Sequence, residues 1–340
     1  MRNKPLNFIH IGLGKCASTY LQNVFLSEPK FKIMALENLV EAILINAKKG
    51  AKPQSFPNIK IDMSNFLQEE SGQFQLASSE GFTFAFINEP EHFDDLEHLY
   101  RLSAHFLGEG QLSSQVLLML RDPIDWLRAA HQQHIKGGGY LSYREFYQKS
   151  KKYLMTSLDI KKIIDIYAYY FHVVTMSADD LKNTSDKFWG WFSNFLDVEA
   201  PSKESRDKAF ISKLSYNPSL RDRTYKLAAL NKQSVIKKAC LLELNDYYKF
   251  VPADAKAFNE LNEQEMWCNR RMVEFSSLEK LKQLYVKIDG ISEEEFAYVY
   301  IDEEMKQHLL KCFIEPLEKI DAISTMAKRS YLDSINCSLI

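Results

Sequence analysis

The sequence predicts an α/β fold with a central parallel sheet flanked by helices and a helical C-terminal extension. Two short apolar runs carry this reading. Leu6–Ile11 and Gln115–Leu120 each stop abruptly at a polar turn and give way to apolar residues at helical spacing. Similar runs at Phe74–Ala77 and Phe171–Met176, the latter preceded by a helical pattern over Ile160–Tyr170, make strands alternate with helices. Alternation of this kind implies parallel strands joined by right-handed crossovers. In such sheets ligands sit beyond the carboxyl ends of the strands, so the polar residues there are the candidates for function.

Taken in order, Leu6–Ile11 ends at Gly12, and a helix follows from about Thr19 through Leu21, Val24 and Phe25. Phe74–Ala77 ends in Ser78-Ser79-Glu80, and Phe84–Ile87 reads as another strand or its continuation. Gln115–Leu120 is apolar after its first residue, as expected of a strand covered on both faces. It stops at Arg121-Asp122-Pro123, where the proline suits the first turn of a helix carrying Trp126, Leu127, Ala130 and His134. From about Lys203 the chain is rich in Lys, Glu, Leu and Ala, with helical spacing at Met305, Leu309, Leu310, Cys312 and Phe313. Gly137-Gly138-Gly139 reads as a loop. The expected division is an α/β core over residues 1–200 with a mainly helical region over 201–340 packed on it, or one domain throughout.

Composition narrows the function classes. With 46% hydrophobic and 26% charged residues the chain is an ordinary globular protein and can bury a large core. A net charge of −2 gives no basis for sequence-independent nucleic-acid binding. The five cysteines (Cys16, Cys240, Cys268, Cys312, Cys337) show no paired ligand spacing, which argues against zinc and against a disulfide framework. Their usage suits a reducing cytoplasm. The first residues hold too short an apolar run for a signal peptide, and no window approaches a membrane span. A cytoplasmic protein is expected, with its oligomeric state left open.

The strongest chemical signal is Gly12-Leu13-Gly14-Lys15-Cys16-Ala17-Ser18-Thr19. A loop from a buried strand into a helix presents unsatisfied N–H groups at the positive end of the helix dipole, which together attract an anion. The glycines let the backbone curl, Lys15 adds a charge, and Ser18 and Thr19 add hydroxyls. The order differs from the nucleotide triphosphatase pattern, since Gly14-Lys15 is not followed by Ser or Thr and no glycine stands five positions earlier. The alternative is a glycine-rich turn with a surface lysine.

Phe8–Gln22 (FIHIGLGKCASTYLQ) resembles the phosphosulfate loop of sulfotransferases that use 3′-phosphoadenosine 5′-phosphosulfate (PAPS), especially the bacterial and carbohydrate-directed branches. The resemblance implies a P-loop-like fold and a PAPS site formed by Gly12, Gly14, Lys15, Cys16, Ala17, Ser18 and Thr19. Lys15 would stabilise the leaving phosphate, while the N–H groups of Ala17, Ser18 and Thr19 would cradle the 5′-phosphate. Leu118–Lys136 resembles the family's 3′-phosphate segment, with Arg121 in the arginine position but Ala129 where a serine is expected. That departure removes a hydroxyl donor worth about 1 kcal/mol; Arg128 and His131 are the candidate substitutes. The alternative for Arg121 is an ion pair with Asp122 or Asp125.

The acceptor hydroxyl needs a base. Ser78-Ser79-Glu80 resembles the Ser-x-Glu segment in which carbohydrate sulfotransferases carry theirs, so Glu80 is the candidate, with Glu89, Glu91 and His92 as a rival cluster. Lys213, in Lys208–Lys213, is similar to a basic loop that covers the cofactor. The resemblance spans about residues 6–230 and implies a hydroxyl-bearing acceptor of carbohydrate or other small polar type, with no metal. His131 and His134 lie three apart on one helix but lack an evident third ligand. Trp189 and Trp191 read as core. The rivals are a P-loop kinase or NTPase and a non-catalytic sulfotransferase-like binding protein.

Overall fold

The computed structural model describes residues 6–34, 36–48, 73–83, 96–216, 224, 227–232, 296 and 299–338. Five parallel strands form one sheet in the order β2-β3-β1-β4-β5: β1 Phe8–Gly12, β2 Phe31–Met34, β3 Phe74–Ser78, β4 Gln115–Leu120 and β5 His172–Ser177. The expected α/β architecture with C-terminal helices is the observed one. The anticipated strand at Phe84–Ile87 lies outside the described residues.

The helices that matter for the site are α1 Ser18–Ser27, α2 Glu37–Lys48, α3 Leu96–Glu109, α4 Pro123–Lys136, α5 Tyr143–Ser157, α6 Ile160–Ala168, α7 Ala178–Asn183, α8 Ser185–Leu196 and α9 Lys203–Tyr216. Near the C-terminus, α10 Glu303–Leu309 runs into a π-helical turn, Leu310–Ile314, and α11 Thr325–Cys337 follows. No described helix is long and apolar enough to cross a membrane.

Both faces of the sheet are covered. Phe8 meets Phe25 of α1 and Phe192 of α8 edge-on, at ring-centroid distances of 5.9 and 5.6 Å, while Ile9 and Ile11, pointing the other way, are fully buried too. Along β4, Val116 through Leu120 have no exposed surface, as the apolar run predicts.

The chain divides into two compact units. One comprises Met1–Trp126, Lys151–Asn217 and Ile301–Ile340 and contains the whole sheet; the other comprises Leu127–Ser150 and Pro218–Tyr300. In the second, His131 donates its Nε2–H to the Leu141 carbonyl (2.9 Å) and packs against Tyr143, Phe146 and Phe296, and Asn231 donates to both the Ile135 and Gly139 carbonyls.

Candidate functional site

Strand order selects the place where a ligand binds. From β1 the chain passes beyond the position of β3 to build β2, returns to β3, then crosses β1 to build β4 and β5. The order therefore reverses at β1, and the crevice at the carboxyl end of a strand where the order reverses is the general ligand position in such sheets. The register aligns the neighbouring strand ends there. His10 pairs with Ser78, Gly12 with Leu118 and Leu120 with Ser177, with a local irregularity between His10 and Gly12. The loop after β1, Ser79-Glu80 after β3, Arg121-Asp122 after β4 and Asp179 after β5 thus share one edge.

The loop after β1 is pinned on several sides. Leu13 N–H donates to the Met119 carbonyl (3.0 Å), the Thr83 hydroxyl to the Ile11 carbonyl (2.5 Å), and the buried Trp126 indole N–H to the Gly14 carbonyl (2.8 Å). Gly12 has φ +112°, and a Cβ there would come within 2.4 Å of the Thr83 hydroxyl oxygen and 3.7 Å of Glu80 Cα. This glycine is required, both for its backbone angle and because the β3 turn sits against it.

Lys15 and Ala17 both adopt left-handed angles, φ 67° and 68°. Non-glycine residues do so at a cost of about 1–3 kcal/mol each, and such strain clusters at ligand sites. Left-handed residues around a strand-to-helix turn are the backbone pattern of an anion-binding nest. Ala17 is the N-cap of α1 and makes no side-chain cap, and no acidic residue stands in the first turn. The Ser18 side chain is buried, 2% exposed, and its hydroxyl has no hydrogen-bond partner in the protein. An uncapped helix start beside an orphaned buried hydroxyl fits a bound anion, which satisfies both. The residues present therefore fit an anion such as a phosphate group.

Around this loop the charged groups converge. The Cys16 thiol is pushed well up by burial, with the Arg121 charge opposing and Glu80 and Asp179 adding to the rise, so it stays protonated. Its buried position between these groups makes it a packing element of the loop. Glu80 begins a short 3₁₀ turn, Glu80–Phe82, capped by Ser79, whose oxygen accepts from Gly81 N–H (3.1 Å). That turn is set by β3: Ser79 N–H donates to the His10 carbonyl, Ser78 hydroxyl pairs with His10 Nδ1 (2.7 Å), and Gln22 of α1 donates to the same hydroxyl.

Arg121 is half-buried, and Asp125 lies 3.6 Å away, a loose ion pair too long for a hydrogen bond. The alternative of an ion pair is thus present, in a weak form. Asp122 caps α4, accepting from Ile124 and Asp125 N–H. Ala129 is half-buried on α4 two turns after Arg121, and Arg128 is exposed. His131 is no substitute donor: it is buried among aromatic rings, its nitrogen is committed to Leu141, and burial holds its pKa down at about 4. Among the described residues no third ligand joins His131 and His134.

Lys213 lies on α9, which packs on α1, but its side chain lies outside the described residues, as do Glu89, Glu91 and His92. Trp189 is core, 2% exposed, and Trp191 is half-buried.

The acidic turn after Phe171–Met176, which resembles that of sulfotransferases in sequence, reaches this edge with a partner that the sequence does not reveal. Asp179 accepts from Asp122 N–H (3.0 Å) and from the Tyr331 hydroxyl (2.8 Å), and Ser177 bonds Tyr331 at 2.7 Å, so α11 buttresses the turn after β5. The pair Asp179-Asp180 after a strand was the available signal; Tyr331 offered none. No protein-family model, curated protein or solved structure matches the chain.

Proposed function

We propose that this chain is a sulfotransferase that moves a sulfuryl group from PAPS to a hydroxyl of a glycan or other small polar acceptor, working in the cytoplasm. The observation that carries the reading is the uncapped start of α1, where Lys15, strained backbone and the orphaned Ser18 hydroxyl meet at the sheet's switch point. The sequence likeness of Phe8–Gln22 supplies the cofactor class. Bound there, the donor provides a sulfuryl group on a phosphate leaving group. Lys15, Ser18, Thr19 and the first N–H groups of α1 hold the 5′ end, and Lys15 offsets the charge that develops as the bond to sulfur breaks. One such preorganised donor is typically worth about 10²–10³ in rate. Arg121 holds the 3′-phosphate as a fork. Glu80, on the turn against Gly12, takes the acceptor's proton as its oxygen bonds to sulfur.

Calorimetric titration with 3′-phosphoadenosine 5′-phosphate tests this, with ATP plus Mg²⁺ alongside and Lys15→Ala as control. Micromolar binding of the bisphosphate, weakened in the control, is expected. ATP binding without bisphosphate binding would sink the reading in favour of a kinase. Binding of neither would leave a non-catalytic protein.

A further inference from the structure

We propose that Asp159, His308 and Cys312 bind a zinc ion, at a site apart from the Gly12–Thr19 loop. One ligand atom from each lies within 4.8 Å of the other two, and all three residues are half-buried, open enough for an ion to enter. Thiolate, imidazole and carboxylate are the ligands zinc takes. A thiolate in the set selects against magnesium and calcium, which prefer oxygen alone. Tetrahedral zinc with bonds of about 2.0–2.3 Å sets its ligand atoms roughly 3.5 Å apart. Closing from at most 4.8 Å therefore asks each side chain to move by no more than about 1 Å, within the reach of a rotamer adjustment.

The scaffold supports each ligand. Asp159 is the N-cap of α6; its Oδ1 accepts from Lys162 N–H (3.0 Å), which fixes the carboxylate and leaves Oδ2 for a metal. His308 and Cys312 stand four apart, on one side of α10 and its continuation. The π-helical turn Leu310–Ile314 carries Cys312 and packs on α6; such turns recur at functional sites. The Nε2–H of His308 donates to the Met155 carbonyl (2.8 Å), so Nδ1 keeps its lone pair. That outer hydrogen bond is the usual way a ligating histidine is oriented.

Three lysines act on the cluster: Lys311, next to Cys312 in the chain, Lys162 and Lys161. Lys162 Nζ lies 3.8 Å from Asp159 Oδ2 but is held by Glu97 at 2.8 Å, and Lys161 is paired with Asp165. Three protein ligands leave a fourth position for water. The expectation against zinc rested on short-range spacing, and Asp159 lies about 150 residues from the other two.

The test uses the full, untagged chain stripped with a chelator, titrated calorimetrically with zinc chloride, with Co²⁺ as the optical probe of thiolate coordination. One ion binds, and the cobalt form shows thiolate charge-transfer absorption. Cys312→Ser abolishes that absorption and weakens zinc by about 10-fold or more. Asp159→Asn, which keeps the helix-capping oxygen, also weakens zinc while circular dichroism shows the fold intact. Absence of zinc binding overturns the proposal, as does unchanged binding and absorption in Cys312→Ser, which would assign the ion to another cysteine.

Discussion

Ser18 allows one substitution to be read in two assays with opposite signs. Its side chain is 2% exposed and its hydroxyl has no partner in the protein. Burying an unsatisfied hydroxyl costs about 1–3 kcal/mol, so Ser18→Ala is expected to stabilise the ligand-free protein by about 1 kcal/mol. With an unfolding entropy of about 2.1 cal/mol/K per residue, a chain of 340 residues then melts about 1–2 °C higher. The ligand reverses the sign. A hydroxyl donating to a charged phosphate oxygen is worth about 1.5–3 kcal/mol, so affinity for 3′-phosphoadenosine 5′-phosphate falls by roughly 10- to 150-fold. Thermal melting by circular dichroism reads the first effect and calorimetry the second. A variant that melts lower, or that binds the bisphosphate as tightly as the parent, refutes the argument that this hydroxyl is kept for an anion.

Gly12→Ala combines a φ of +112° with a Cβ placed 2.4 Å from Thr83 Oγ1, so it should lose at least about 1–3 kcal/mol in urea unfolding; an unchanged midpoint would mean that the turn against Glu80 yields. Tyr331→Phe removes the hydroxyl that joins Ser177 and Asp179. A loss of about 1–3 kcal/mol is expected, and stability equal to the parent's would show that α11 does not buttress the β5 turn. His10 is held at about 4 by burial, against about 6.5 in an unfolded chain. The unfolded state therefore binds a proton between those values that the folded state refuses. Stability should fall as pH drops from 6.5 to 4, by up to about 3 kcal/mol from this residue. His10→Asn should flatten that limb of a stability profile measured by urea unfolding, and an identical slope in the variant would contradict the assignment.

The parts of the fold that could be read in advance are those where burial leaves a local trace. Gln115–Leu120 matches β4 residue for residue because a strand covered on both faces must be apolar nearly throughout. Pro123 marks the start of α4, and the Gly12–Thr19 loop announces itself by the break between a buried strand and an amphipathic helix. By contrast β2, Phe31–Met34, is a four-residue edge strand with only Phe31 buried, too short for a period to show. That Glu80 and Arg121 share a sheet edge with the Gly12–Thr19 loop follows from the order β3-β1-β4, which no local pattern encodes. The helical spacing places Trp126 on α4; that its indole N–H holds the Gly14 carbonyl depends on a contact across 112 residues of sequence. The zinc ligands belong to the same class, since their spacing exists only in three dimensions.

The buttress of the β5 turn also has a history in time. Tyr331 lies 152 residues after Asp179, and Ser324, which bonds both oxygens of the buried Asp180, lies 144 residues after it. At roughly 5–20 residues per second, a ribosome needs about 8–30 s to supply these partners once the last strand has emerged. Through that interval the nascent sheet carries two carboxylates that still lack their hydrogen bonds from Tyr331 and Ser324. The turn after β5 thus stays without its buttress until Ser324 and Tyr331 have emerged, and a chain stalled before them would present that turn unsupported.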